Sequence, residues 1–85
     1  MKLPVIKHLV SFVAENDVDY LLETIETLES LTEVSSLKDE ELDVLGEVIS
    51  NLYGAVEVQK AIDSGIPQKE ALNSFMKRVM GAIDQ

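Results

Sequence analysis

Glu23, Glu26 and Glu29 stand three residues apart, a spacing that invites a carboxylate-bridged metal. With the one histidine, His8, they are the candidate metal ligands of this sequence. Di-metal sites in four-helix proteins take Glu from two helices and Glu-x-x-His from two others. No Glu-x-x-His occurs here, and a pair of chains would bring only two histidines, both from the first segment. Asp17-Val18-Asp19 resembles the opening of a calcium loop. Its sixth position is Leu22, where the tight turn needs Gly, and its twelfth is Leu28, where a bidentate Glu belongs. Glu29 projects next to Leu22 and Ile25 on the apolar side of its helix. Such a residue more often sits at the margin of a stripe, beside a Lys or Arg, than acts as a catalytic acid.

His8 has no thiol to pair with, because the chain has no cysteine, and no carboxylate is assigned to it by spacing. It falls short of a catalytic pair and reads as a helix-edge residue near Ser11 and Phe12. Gly46, Gly54, Gly65 and Gly81 are all isolated, with no G-x-G and no G-K-S/T loop to cradle a phosphate. None of the serines lies in a G-x-S-x-G setting. No catalytic residue and no cofactor is therefore assigned. The binding alternative is a small helical ligand- or metal-binding protein that uses the acids of the second helix.

The elements that would hold these residues are helices. Pro4 opens a first segment in which Ile6, Leu9, Val10 and Val13 recur at helical spacing, flanked by Val5 and Phe12. Asp17 can cap a second segment running to about Thr32, with the stripe Val18, Leu21, Leu22, Ile25 and Leu28. Val34-Ser35-Ser36 is a break, and Ser36-Leu37-Lys38-Asp39 reads as a capping-box start with three acids in the first turn. The third segment spans Leu37 to Ser64, and Gly65-Ile66-Pro67 stops it. Pro67 opens a fourth, with the stripe Leu72, Phe75, Met76, Val79, Met80 and Ile83. No run has the period-two alternation of a strand. The expected fold is all-α: one domain over residues 1–85, four helices, the third unusually long.

That third helix would be about 42 Å long at 1.5 Å per residue. A compact chain of this size measures roughly 30 Å across. The helix must protrude, bend near Tyr53-Gly54, or lie against a second copy. Leu42, Leu45, Ile49, Leu52 and Val56 step by three and four along one face. Gly46, Ser50 and Gly54 recur every four residues away from it, as if to admit another helix closely. The expectation is a helical homodimer, its interface formed by Leu45, Gly46, Ile49, Ser50, Leu52, Tyr53, Gly54 and Val56.

Composition narrows the function classes further. At 46% hydrophobic residues the 85-residue chain is too apolar to be disordered. No apolar run approaches the roughly 20 residues of a membrane span, and the start, with Lys2, Lys7 and His8, lacks a signal-peptide core. A cytoplasmic protein is expected. Residues 15–47 hold twelve acids and one base, Lys38, while residues 1–14 hold only Lys2 and Lys7, so the net charge of −9 is concentrated in the middle of the chain. That middle repels phosphate backbones, so nucleic acid is an unsuitable partner, whereas a protein with a basic surface suits it.

Met1 to Leu9, Leu37 to Leu42 continuing through Asn51-Leu52-Tyr53-Gly54-Ala55, and Lys69 to Arg78 together resemble a small bacterial family of uncharacterised, acidic, helical proteins of about this length. The resemblance covers the whole chain and transfers no catalytic residue. It implies a domain of unknown function. It also implies, through thioredoxin and peroxiredoxin genes found near such genes, an accessory role beside a redox system. The functional expectation is a non-enzymatic helical interaction or accessory module.

Overall fold

Pro4 lies in the first turn of α1 (Leu3–Glu15), where its missing N–H leaves no helical bond unmade. Ile6, Val10 and Val13 form the buried face of this helix. The Asn16 side-chain amide donates to the carbonyl of Phe12 (3.0 Å) at its end, and the Asp17 carboxylate accepts the Asp19 N–H (2.9 Å) where α2 (Asp19–Leu31) begins. α2 buries Leu21 and Ile25. The computed structural model describes residues 1–84, with side chains as far as Val79. Met80 and Ile83, expected to extend the stripe of the fourth helix, lie outside the side chains described.

α3 (Asp39–Asp63) starts two residues later than the capping-box pattern at Ser36 suggests. Lys38 takes the cap position, and its N–H donates to the Glu41 carboxylate at 2.9 Å. Glu reaches back across the first turn, and three acids crowd the positive end of the helix dipole, so the start settles where all three are used. The helix runs unbroken through Gly54. At its far end Gly65 adopts φ 108°, with Gly65 N–H bonded to Ile62 O (3.0 Å) and Ile66 N–H bonded to Ala61 O (3.1 Å). Those two bonds make a Schellman motif, which needs a left-handed residue at that point. α4 (Gln68–Asp84) follows Pro67, whose carbonyl accepts the Ala71 N–H at 2.9 Å. Among the described residues all regular structure is helical.

α3 is the spine: it packs against each of the other three helices, and α1 also touches α4. It can do so because it carries two apolar seams. Leu42, Leu45, Ile49, Leu52 and Val56 form one; Val44, Val48, Asn51, Ala55, Val58 and Ile62 form the other, stepping four and three. The core gathers around the second half of the helix, where Leu52, Ala55, Val56 and Val58 meet Ile6, Val10, Leu21, Ile25, Leu72 and Phe75. No residue between Asp39 and Ser50 is buried. The result is a thin molecule, 43 × 35 × 17 Å. Its radius of gyration is 13.9 Å, against about 12 Å for a compact chain of this length.

Candidate functional site

The uncovered half of α3 and the outer flank of α1 together make an open groove. On α1, Val5, Leu9 and Phe12 follow one another at i, i+4 and i+7, just beside the buried line of Ile6, Val10 and Val13. Val5 is 40% exposed and Phe12 39%. Phe12 meets Tyr20 of α2 edge to face, ring centroids 5.7 Å apart, which closes the corner between the two helices. On α3, Val48 is 42% exposed and Val44 64%. Between the walls lies a cavity of about 270 Å³, with Lys2, Val5 and Leu9 on one side and Glu47, Val48, Asn51 and Leu52 on the other.

Asn51 fixes the geometry of that groove. It is buried, and its Oδ1 accepts the Lys2 N–H at 2.8 Å while its Nδ2 donates to the Glu47 carbonyl at 2.9 Å. One side chain thus ties the start of α1 to the spine and satisfies both ends of its own amide. Sequence reasoning passed it over. The available signal was a lone polar residue in the second seam, a position that costs stability unless its hydrogen bonds are met.

The residues singled out by spacing are dispersed. Glu23 and Glu26 are exposed on α2 and His8 is exposed on α1. Among the described residues, no three of His, Asp and Glu come together in a way that could hold a metal ion. Glu29 does have a partner, though not the expected cation: the Tyr53 hydroxyl donates to its Oε2 at 2.9 Å. That hydrogen bond, with smaller contributions from desolvation and the carboxylate charge, raises the Tyr53 pKa from the ordinary 10.0.

The eight residues expected at an interface between copies divide into groups. Leu52, Gly54 and Val56 are buried within the chain itself. A Cβ on Gly54 would stand 3.1 Å from Ile6 Cδ1 and 3.1 Å from Phe75 Cζ, so the close approach that this glycine permits is made by the chain's own α1 and α4. The reading of Gly46, Ser50 and Gly54 as one strip is corrected accordingly, because nothing lies within 4 Å of a Cβ placed on Gly46. Leu45, Ile49 and Ser50 are half-buried, and Gly46 and Tyr53 are exposed.

A larger cleft of about 420 Å³ separates α1 from α4, between Leu3, Lys7, Gln68, Lys69, Leu72 and Asn73. Its lysines are exposed, and among the described residues no buried side-chain polar atom is left without a partner. The α1–α3 groove is the stronger candidate because its apolar lining continues onto Val44 and Phe12. Its lining is mainly apolar, with Lys2, Glu47 and Asn51 among Val5, Leu9, Val48 and Leu52.

No helix among the described residues is long and apolar enough to cross a membrane. The chain matches no curated protein and no solved structure. A family model does match it, over residues 1–84. The chain thus belongs to DUF6952, a family of unknown function.

Proposed function

We propose that this chain is a non-enzymatic helical interaction module of the cytoplasm, and that the groove between α1 and the first half of α3 is its working surface. The observation that carries this reading is the amount of surface left open. The chain exposes 6,004 Å², where a compact monomer of its mass exposes about 5,000 Å². Val5, Phe12, Val44 and Val48 expose apolar surface along the groove, and contiguous exposed apolar surface on a small domain marks a binding face. The acids of α2 and early α3 suit a protein partner whose rim is basic. An accessory to a thioredoxin or peroxiredoxin system would act through such a surface and not by thiol exchange, because the chain holds no cysteine.

Val48→Lys tests the reading without touching the core, since Val48 is 42% exposed. Tagged wild-type and variant chains are compared for the proteins that they retain from the native host, with circular dichroism confirming equal helicity. The expected outcome is a partner, or a second copy of the chain, held by the wild type and lost by the variant. Identical retention by both would remove the groove from the function.

A further inference from the structure

We infer that the occupant of the groove is a second copy of this chain, docked by two-fold symmetry so that the first halves of the two α3 helices cross antiparallel, with Val44 and Val48 of each copy at the axis. The inference rests on the reading of the groove as the working surface and adds the identity of its partner.

The second seam of α3 supplies the first argument. Along Val44, Val48, Asn51, Ala55, Val58 and Ile62 the spacing is that of a helix-packing seam from end to end. The chain covers only its second half: Ala55 is 0% and Val58 1% exposed, whereas Val44 is 64% and Val48 42% exposed. A seam of this kind is completed by another helix, and the exposed half spans residues that no intrachain helix buries.

Area supplies the second. The surface in excess of a compact monomer is on the order of 1,000 Å². A standard stable interface takes about 800 Å² from each partner. A self-docking event of that size removes an area comparable with this excess, which is spread over the whole surface and includes Leu22, Leu31 and Val34 outside the groove.

Charge supplies the third. The groove has one wall on each of two oppositely charged elements. Lys2 lines the α1 wall and the Met1 ammonium stands 3.3 Å from Glu47, while Lys7 faces the α4 cleft; the first nine residues of α3 hold Asp39, Glu40, Glu41, Asp43 and Glu47 and no base. An isologous interface sets each patch against its complement twice. With the two α3 helices crossing at the axis, Lys2 of each copy would stand towards the acidic first turns of the other copy's α3. The net charge of −9 opposes association in general, and Lys2 in this register offsets part of it where the copies touch.

Sedimentation equilibrium on the full chain tests the inference. The wild type should show twice its 9.4 kDa mass at concentrations of about 10–100 µM. Val48→Asp should stay helical and raise the dimer dissociation constant at least a hundredfold, as a buried charge at the centre of an interface does. Val48→Cys, in a chain with no other cysteine, should form a disulfide-linked dimer under mild oxidation, whereas Lys69→Cys on α4 should not. A wild type that stays at 9.4 kDa throughout overturns self-docking. So does a dimer left intact by Val48→Asp, or one in which Val48→Cys links no better than Lys69→Cys. Were Val48→Asp to unfold, the crosslinking pair alone would decide. A monomer that still loses a captured protein on Val48→Lys would end the self-docking inference and leave the interaction-module reading standing.

Discussion

Glu29 shows how a side chain that looks misplaced in a pattern can be accounted for by one contact. By helical spacing it falls beside Leu22 and Ile25, yet it is exposed, and the hydroxyl of Tyr53 on α3, itself exposed, meets it at 2.9 Å. The contact favours the protonated phenol, because a phenolate would lose the hydrogen bond and face the carboxylate charge. Tyr53 is thus harder to ionise in the folded chain than in the unfolded one. Its contribution to stability is whole below the unfolded value near 10.0 and is lost as pH climbs through the raised folded value. In a Tyr20→Phe background, absorbance titration of the remaining tyrosine should give a midpoint above 10.0, and Glu29→Gln should bring it down. If the two midpoints coincide, the hydrogen bond is not what holds the phenol. Asn51 is the quieter counterpart: it titrates nothing, but it holds the Lys2 N–H at the start of α1 to the spine, beside the Met1 ammonium paired with Glu47 at 3.3 Å.

At the scale of the helix, two glycines eight residues apart on α3 are expected to behave in opposite ways. Gly46 is exposed with open space where a Cβ would go. Gly46→Ala should therefore stabilise the chain by up to about 1 kcal/mol, the ordinary gain in helix propensity. Gly54 is enclosed by Ile6, which is 0% exposed, and Phe75, which is 5% exposed. An added Cβ 3.1 Å from each is inside ordinary van der Waals contact, so both side chains must shift, and Gly54→Ala should cost about 1–3 kcal/mol despite the same gain in propensity. Urea denaturation of the two variants checks the pair, and equal shifts would contradict the packing at Gly54. The same two residues mark the boundary of what the sequence discloses. Helix starts and stops at Pro4, Asp17 and Gly65 are local matters of capping and φ, and each could be read from a few neighbouring residues. Val44 and Val58 are the same residue type on the same seam, yet one is 64% exposed and the other 1%. That difference depends on how far α1 and α4 reach along the spine, a long-range outcome that periodicity does not contain. For the same reason the length of α3 could be anticipated, while the groove beside its first half could not.

The whole molecule balances an incomplete core against a strong charge. Beyond the groove, Leu22 is 45%, Leu31 44% and Val34 46% exposed. Side chains of this kind can add to association between copies when nothing opposes it. The opposition comes from the acidic stretch of residues 15–47, with twelve acids against one base, which includes all three of those side chains. Its repulsion acts over a Debye length of about 8 Å in physiological salt, comparable to the spacing of packed helices. In the proposed two-fold dimer Lys2 of each copy would face the acidic start of the other's α3; additional copies arriving at α2 would find no such match, because α2 carries four acids and no base. Charge on this account sets the size of the assembly, and acid should remove the limit. As pH falls from 7 towards the sequence pI of about 4.3, the weight-average mass by light scattering should climb past that of a dimer, and return on neutralisation. Val48→Asp should not suppress the acid-induced growth, since the surfaces responsible then lie outside the groove. A mass that holds constant from pH 7 to 4.3 would mean that the exposed leucines of α2 are not adhesive and that dispersal at neutral pH owes nothing to the acids beside them.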